Sequence, residues 1–245
     1  MQYSDLNQLR EKIEKVVRSL EKEYGIPHHK KKADLLGLLI QTILSQNTND
    51  RNRDRAYQTL KTRFPLWEDL LKARTGAVMQ AIRTGGLAGQ KARRIRQILQ
   101  WIKDREGKLS LHFLKKMSSE EIKNTLDKLK GIGPKTVHCL LLFGMGRDVF
   151  PVDTHVLMAG KRMGFIPGQM NAEKAHPWMV PLIPKGKSLS LHLNLIRFGR
   201  EICRAKNPKC EICFLVKDCC YNLKNVMTVK IVWTGSIVKH SNPVK

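Results

Sequence analysis

The sequence predicts an all-α protein. Apolar residues recur at helical spacing from residue 6 to about residue 223, and strand-like alternation is scarce. The connections are short and marked by glycine and proline: Gly25-Ile26-Pro27, Gly85-Gly86, residues 131–134 and residues 164–168. Residues 1–23 are charged throughout and are expected to form a surface helix. Leu35, Leu38, Leu39, Thr42 and Ile43 make the first apolar face. Ala92, Ile95, Ile98, Leu99 and Ile102 make a second, with Arg93, Arg94 and Arg96 expected on the opposite side. Glu121, Ile122, Leu126 and Leu129 mark a third, and Val137, Leu140, Leu141 and Leu142 a fourth. Residues 226–238 are rich in β-branched residues without a helical period, and are expected to be an appended tail or a short strand. No internal repeat is present.

A chain of 245 residues can bury a sizeable core, as one large domain or two small ones. Its charge is unusual. Lys and Arg total 45 against 21 Asp and Glu, a net charge of +24. Such an excess favours a polyanionic partner, because each cation close to a phosphate releases a condensed counterion. Plain solubility and ribosome association are the bland alternatives. An acidic membrane suits the sequence less well, since no basic amphipathic helix or lipidation motif stands out. No secretory leader pattern is present, and the longest apolar run, residues 35–44, is broken by Gly37 and Gln41. The expectation is a cytoplasmic protein, nucleoid-associated in a prokaryote, with no membrane partner.

Five of the six cysteines fall within residues 203–220. In a reducing compartment such a cluster reads as a metal site before a disulfide framework. Cys203, Cys210, Cys213 and Cys219 have the spacing C-x6-C-x2-C-x5-C. Four thiolates suit an iron–sulfur cluster or zinc. Cys220 lies outside the pattern, as a bystander or an exchangeable ligand, and Cys139 falls on an apolar helical face that suits the core. Between the first two ligands lie Arg204, Lys206 and Lys209, which a metal-pinned loop would present to a DNA backbone; the bland reading is an ordinary basic loop.

Gly131-Ile132-Gly133-Pro134-Lys135 joins two apolar helical stretches. Gly131 and Gly133 allow special backbone conformations and close approach of a partner. Pro134 suits the first turn of a new helix, whose free N–H groups can hold a phosphate. The helix dipole and partial burial would both disfavour the ammonium form of Lys135 and leave a nucleophilic amine, against the bland reading of a phosphate-binding or solvated lysine. In Val152-Asp153-Thr154-His155, Asp153 is placed to cap the next helix, and His155 is expected to pack or hydrogen-bond.

Taken together, these segments resemble the endonuclease III family over roughly residues 35–223. The four-cysteine spacing, the glycine hairpin with Lys135 and the V-D-T-H segment carry the resemblance. Residues 44–50, Leu-Ser-Gln-Asn-Thr-Asn-Asp, resemble the family's L-S-x-Q-x-T-D loop, with Asn47 where glutamine is usual. Gly86-Leu87 through Lys91-Ala92 resembles its G-L-x-x-x-K-A segment, and Gly199-Arg200 also fits. Lys130 replaces the proline usual before the hairpin, and Pro134 stands where arginine is common.

The resemblance implies two helical lobes, residues 30–146 and residues 1–29 with 147–223, followed by a tail at 224–245. It implies a [4Fe–4S] cluster on Cys203, Cys210, Cys213 and Cys219, and a monomer acting on double-stranded DNA with a damaged base or abasic site. Lys135 would attack the sugar C1′, and Asp153 would stabilise developing positive charge or assist proton transfer. Gln46 or Asn47 would fill the gap left by an extruded nucleotide. Leu87 would wedge into the duplex, with core packing as its alternative. The implied activity is removal of damaged bases, oxidised pyrimidines foremost, and β-elimination at the abasic site. A glycosylase for uracil or thymine opposite guanine, a catalytically silent DNA-binding module and a zinc-bound DNA-binding protein remain the alternatives.

Overall fold

The apolar periodicities become eleven α-helices among the described residues, 3–28 and 34–221, of a computed structural model, and those residues contain no strand. They form two compact units, one spanning Pro27–Pro151, the other joining the chain up to Ile26 to the chain from Val152 onward.

In the first unit α2 (Leu35–Leu44) is the central helix. Its side chains are buried on nearly every face, and Asp34 caps it by accepting from the Leu36 N–H at 3.1 Å. α3 (Asp50–Arg63), α6 (Ala88–Glu106) and α8 (Pro134–Cys139) pack on it, α4 (Trp67–Lys72) and α5 (Thr75–Ala81) pack on α6, and α7 (Ser119–Leu126) packs on α8. Leu36, Ile40, Ile43, Leu60, Leu70, Ile95, Leu99, Ile122 and Val137 meet in one core. Burying each such side chain contributes about 1.5–3 kcal/mol.

Helix α7 starts with a reciprocal capping box between Ser118 and Glu121. Leu129 falls beyond the end of α7, in the turn that follows, so only part of the third predicted face is helical. α8 runs on as a π-helical turn, Leu140–Gly144, in which three consecutive leucines are all buried. Gly144 lets that turn close onto α2: a Cβ there would stand 2.6 Å from Leu35 Cδ2.

The second unit contains α1 (Tyr3–Tyr24), α9 (Thr154–Met163), α10 (Ala172–Met179) and α11 (Ser188–Glu201). The charged appearance of α1 hides an apolar stripe; Ile13, Val16, Val17 and Leu20 are buried. α11 packs on both α1 and α9. Its segment Ser-Leu-Ser-Leu-His-Leu-Asn-Leu alternates with the period of a strand yet is helical. The physical reason is that both polar and apolar positions are buried, so alternation does not separate core from solvent. Ser190 donates to Glu21 Oε1 at 2.6 Å, and the Asn194 amide donates to the Gly25 carbonyl at 3.0 Å.

Arg94 and Arg96, expected on a solvent face of α6, are half-buried and hydrogen-bonded. Burial of their stems and specific acceptors on neighbouring segments override the helical pattern. Among the described residues no helix is long and apolar enough to cross a membrane. The predicted tail at 224–245 lies outside the described residues.

Candidate nucleic-acid interface and cysteine site

The hairpin forms where the sequence places it, between α7 and α8. Ile132 is buried and anchors the turn in the first unit's core. Gly131 has φ +92°, a region that side chains disfavour. Its Cα face is not open to a partner, because the Arg94 side chain occupies it; a Cβ would stand 2.5 Å from Arg94 Cδ. Gly133 differs from the expectation of special geometry. It is extended at φ −105°, and a Cβ there would meet nothing within 4 Å. Gly133 caps α8, Pro134 is the first helical residue, and Lys135 follows, half-buried. One turn later His138 Nδ1 lies 2.7 Å from the Pro134 carbonyl, and burial lowers its pKa.

Two further loops of this unit present side chains outward. Asn47 is exposed with φ +53°, and Leu87 is 51% exposed with φ +49°. A left-handed non-glycine residue costs roughly 1–2 kcal/mol. Leu87 also forgoes about 1.5–3 kcal/mol of burial. Leu87 bears both costs, and its exposure goes against the core-packing alternative.

Lys91, fully buried, ties the two loops together. Its ammonium donates to the Leu44 carbonyl at 2.8 Å and to the Gly85 carbonyl at 2.7 Å, and burial lowers its pKa. Gln46 is half-buried. Its Oε1 accepts from Arg94 Nη1 at 2.9 Å, and its Nε2 donates to the Gly131 carbonyl at 3.1 Å. The structure thus joins Gln46, Asn47, Leu87 and Gly131 through Lys91 and Arg94. Sequence reasoning missed the structural part these two cations play; the place of Lys91 in the G-L-x-x-x-K-A segment was the available signal.

In the second unit, Cys203, Cys210, Cys213 and Cys219 all line one pocket, together with Arg162, Phe198, Leu215 and Tyr221. Cys220 is not in its lining. Its thiol points to Lys12, whose Nζ donates to it at 3.2 Å, and lies 2.8 Å from where a Cβ on Gly164 would be. That placement favours the bystander reading over an exchangeable ligand. Among the described residues no group of three or more His, Cys, Asp or Glu closes on a single-ion site.

Burial pushes the Cys203 thiol up against the pull of Arg162, and pushes Cys213 up to about 11. Arg162 frames the loop, donating to the Arg204 carbonyl at 2.7 Å, the Ala205 carbonyl at 3.1 Å and Cys203 Sγ at 3.4 Å. Phe214, beside Cys213, packs edge-on against Tyr24 and Phe198. Arg204 and Lys206 are exposed, whereas Lys209 is half-buried and lines the cysteine pocket.

Asp153 lies in this second unit, while Lys135 lies in the first. Asp153 caps α9, its Oδ1 accepting from the Val156 N–H at 2.8 Å. The preceding Val152 N–H donates to the Nδ1 of buried His176 at 3.1 Å, which fixes the approach to the cap. His155 packs against Gly199, where a Cβ would stand 3.0 Å from its ring, so Gly199 permits close contact of α9 with α11.

A fold that is all-helical over the described residues, with a glycine hairpin that carries a lysine, exposed left-handed Asn47 and Leu87, and a pocket lined by four cysteines, has the parts of a helix-hairpin-helix DNA-repair protein. Comparison with known proteins gives the family. Residues 40–179 match the HhH-GPD superfamily of base excision DNA repair proteins, and the chain belongs to that superfamily. A candidate DNA glycosylase of Arabidopsis thaliana is 39% identical over 178 residues, covering 71% of this chain and 61% of the relative. The chain thus spans about three-fifths of that relative's length. Endonuclease III of Thermotoga maritima is 30% identical over 207 residues, covering 84% of this chain and 92% of the enzyme. A trapped covalent intermediate of endonuclease III with DNA superposes with a TM-score of 0.76 at 25% identity, covering 89% of this chain and 98% of that one.

Proposed function

We propose that this chain is a base-excision-repair DNA glycosylase with AP lyase activity, acting as a monomer in the DNA-containing compartment of the cell. It removes damaged bases, oxidised pyrimidines foremost. One observation carries the reading: Lys135 stands at the second position of the helix that follows the hairpin. An endonuclease III of similar fold, trapped as a covalent intermediate with DNA, supports a covalent mechanism. The net charge of +24 supports a DNA partner.

The target base is stacked in the duplex, and extruding it costs a few kcal/mol. Backbone contacts by the hairpin, with its open Gly133 face, and by Arg204 and Lys206 offset that cost. Leu87 enters the stack, and Asn47 takes the space the nucleotide leaves. Gln46 is already committed by its two hydrogen bonds.

The Lys135 amine then attacks C1′. The C1′–base bond breaks, and the base leaves with a proton. Loss of the amine proton and opening of the sugar ring give the C1′=N imine. A proton is lost from C2′, the C3′–O bond breaks, and the strand is cut by β-elimination. Asp153 carries the negative charge that stabilises the sugar's cationic character during base departure.

Four thiols around one pocket fit a [4Fe–4S] cluster, with Cys203, Cys210, Cys213 and Cys219 as ligands. The cluster would supply a rigid cross-link for the loop that carries Arg204 and Lys206. The test of the activity is incubation with duplex DNA carrying one oxidised pyrimidine. Base release coupled to strand cleavage is expected. Base release without cleavage would point to a glycosylase that uses water, and binding without either to a silent module.

A further inference from the structure

The α2–α3 loop and the hairpin approach DNA as separate segments, yet one side chain joins them. We infer that Arg94 is a positioning residue which, through Gln46, locks the hairpin to the gap-filling loop and so holds Asn47 in register for insertion. This inference rests on the proposed glycosylase reading.

Three observations carry it. Arg94 Nη1 donates to Gln46 Oε1 at 2.9 Å, and Gln46 Nε2 donates to the Gly131 carbonyl at 3.1 Å. Arginine can only donate and a carbonyl can only accept, so these partners orient the Gln46 amide one way round. The Arg94 stem also fills the face that Gly131 leaves bare, with Cδ, Nε and Cζ at 2.5, 2.6 and 3.0 Å from a Cβ built there. Gly131 therefore serves two ends: its φ of +92° makes the turn, and its missing side chain admits Arg94.

Lys91, one turn earlier on α6, ties Leu44, where the same loop begins, to Gly85. With both cations in place, α6 aligns the hairpin, the Asn47 loop and the Leu87 loop. With Gln46 held in this way, its neighbour Asn47, left-handed and exposed, is what projects. A simple phosphate contact by Arg94 is the competing role, and salt dependence separates the two.

The test uses the full, cluster-loaded chain and a duplex with an uncleavable abasic analogue opposite 2-aminopurine, whose fluorescence rises when the orphan base is unstacked. The readout needs no catalysis. The variants are Arg94→Met, which keeps the stem against Gly131, Gln46→Leu, their combination, and Arg94→Lys. Thermal melting checks that each is folded, and Gln46→Leu, the smaller perturbation, keeps the test valid if Arg94→Met melts early.

At saturating protein each single variant is expected to lose most of the fluorescence gain, the double variant no more than either single, and Arg94→Lys to recover part of it. Affinity for undamaged duplex and its salt slope stay at the wild-type value. A salt slope reduced by about one with the fluorescence gain intact would make Arg94 a phosphate contact and overturn the inference. Losses that multiply in the double variant would overturn it too. Wild-type protein is assayed in parallel on a true abasic site: failure to cleave there refutes the lyase reading, while the fluorescence series still decides the positioning role.

Discussion

Replacing Lys91 by methionine tests how the two probing loops are held. The side chains are similar in volume, so little cavity opens at this fully buried position. What disappears is the ammonium that donates to the Leu44 and Gly85 carbonyls at 2.8 and 2.7 Å. Two carbonyls left without that donor cost about 1–3 kcal/mol each. Against this, methionine avoids burying an ammonium with no carboxylate beside it, a penalty of several kcal/mol. The lost hydrogen bonds, about 2–6 kcal/mol in all, are largely offset, and a net destabilisation of up to about 3 kcal/mol is expected, a fall in Tm of up to roughly 12 °C.

The effect on function is larger, because the loops that carry Asn47 and Leu87 lose their common tie. A displacement near 1 Å lowers single-turnover excision by about a hundredfold. Denaturation with the cluster in place, paired with single-turnover excision, reads both effects. Unchanged Tm and unchanged excision would refute the reasoning, since the bridge would then hold nothing that matters to DNA.

The two hairpin glycines should respond differently to alanine. Gly131→Ala combines a φ of +92° with a 2.5 Å approach to Arg94, and is expected to destabilise by about 1–2 kcal/mol or more and to weaken binding to abasic DNA, as measured by melting and titration. Gly133→Ala, at φ −105° with open space around it, should leave stability nearly unchanged. Cys220→Ser should retain the full iron and sulfide content and yellow-brown colour, and Cys213→Ser should lose most of both, as checked by elemental analysis; a zinc-loaded wild type would contradict the cluster assignment.

Acid should destabilise the first unit through His138. Its folded pKa is lowered by burial, so the unfolded state binds more protons once the pH falls below the ordinary histidine value of about 6.5. Stability is full above that value, falls as the pH drops and levels off below the folded pKa. A His138→Gln variant should show a shallower slope in denaturation series between about pH 7 and 5.

Residues whose chemistry is local in sequence were legible. The cysteine spacing, the Gly131–Lys135 turn and the capping role of Asp153 each lie within one short segment, and they appear where the sequence puts them. What was not legible depends on contacts between distant segments. Nothing in the run Lys91-Ala92-Arg93-Arg94 says that one cation will be wholly buried against two carbonyls and another half-buried against a glycine turn. Arg162 is likewise an ordinary helical arginine until the loop at 203–205 folds over it. The left-handed backbone at Leu87 is set by the turn at Gly85-Gly86 and not by leucine's own preference. α11 lies in the region expected to be helical although its polar and apolar residues alternate, and hydrogen bonds of buried Ser190 and Asn194 satisfy polar positions on the helix.

The central claim is that Lys135 is the nucleophile, and borohydride trapping tests it most directly. Wild type and Lys135→Ala are each incubated with duplex DNA containing a single abasic site, and borohydride is added. Reduction of the imine should give a stable protein–DNA adduct for wild type, attached through Lys135 by peptide mapping, and none for Lys135→Ala despite equal DNA binding. An adduct that persists in Lys135→Ala, or wild type that binds the site and is never trapped, would contradict the account.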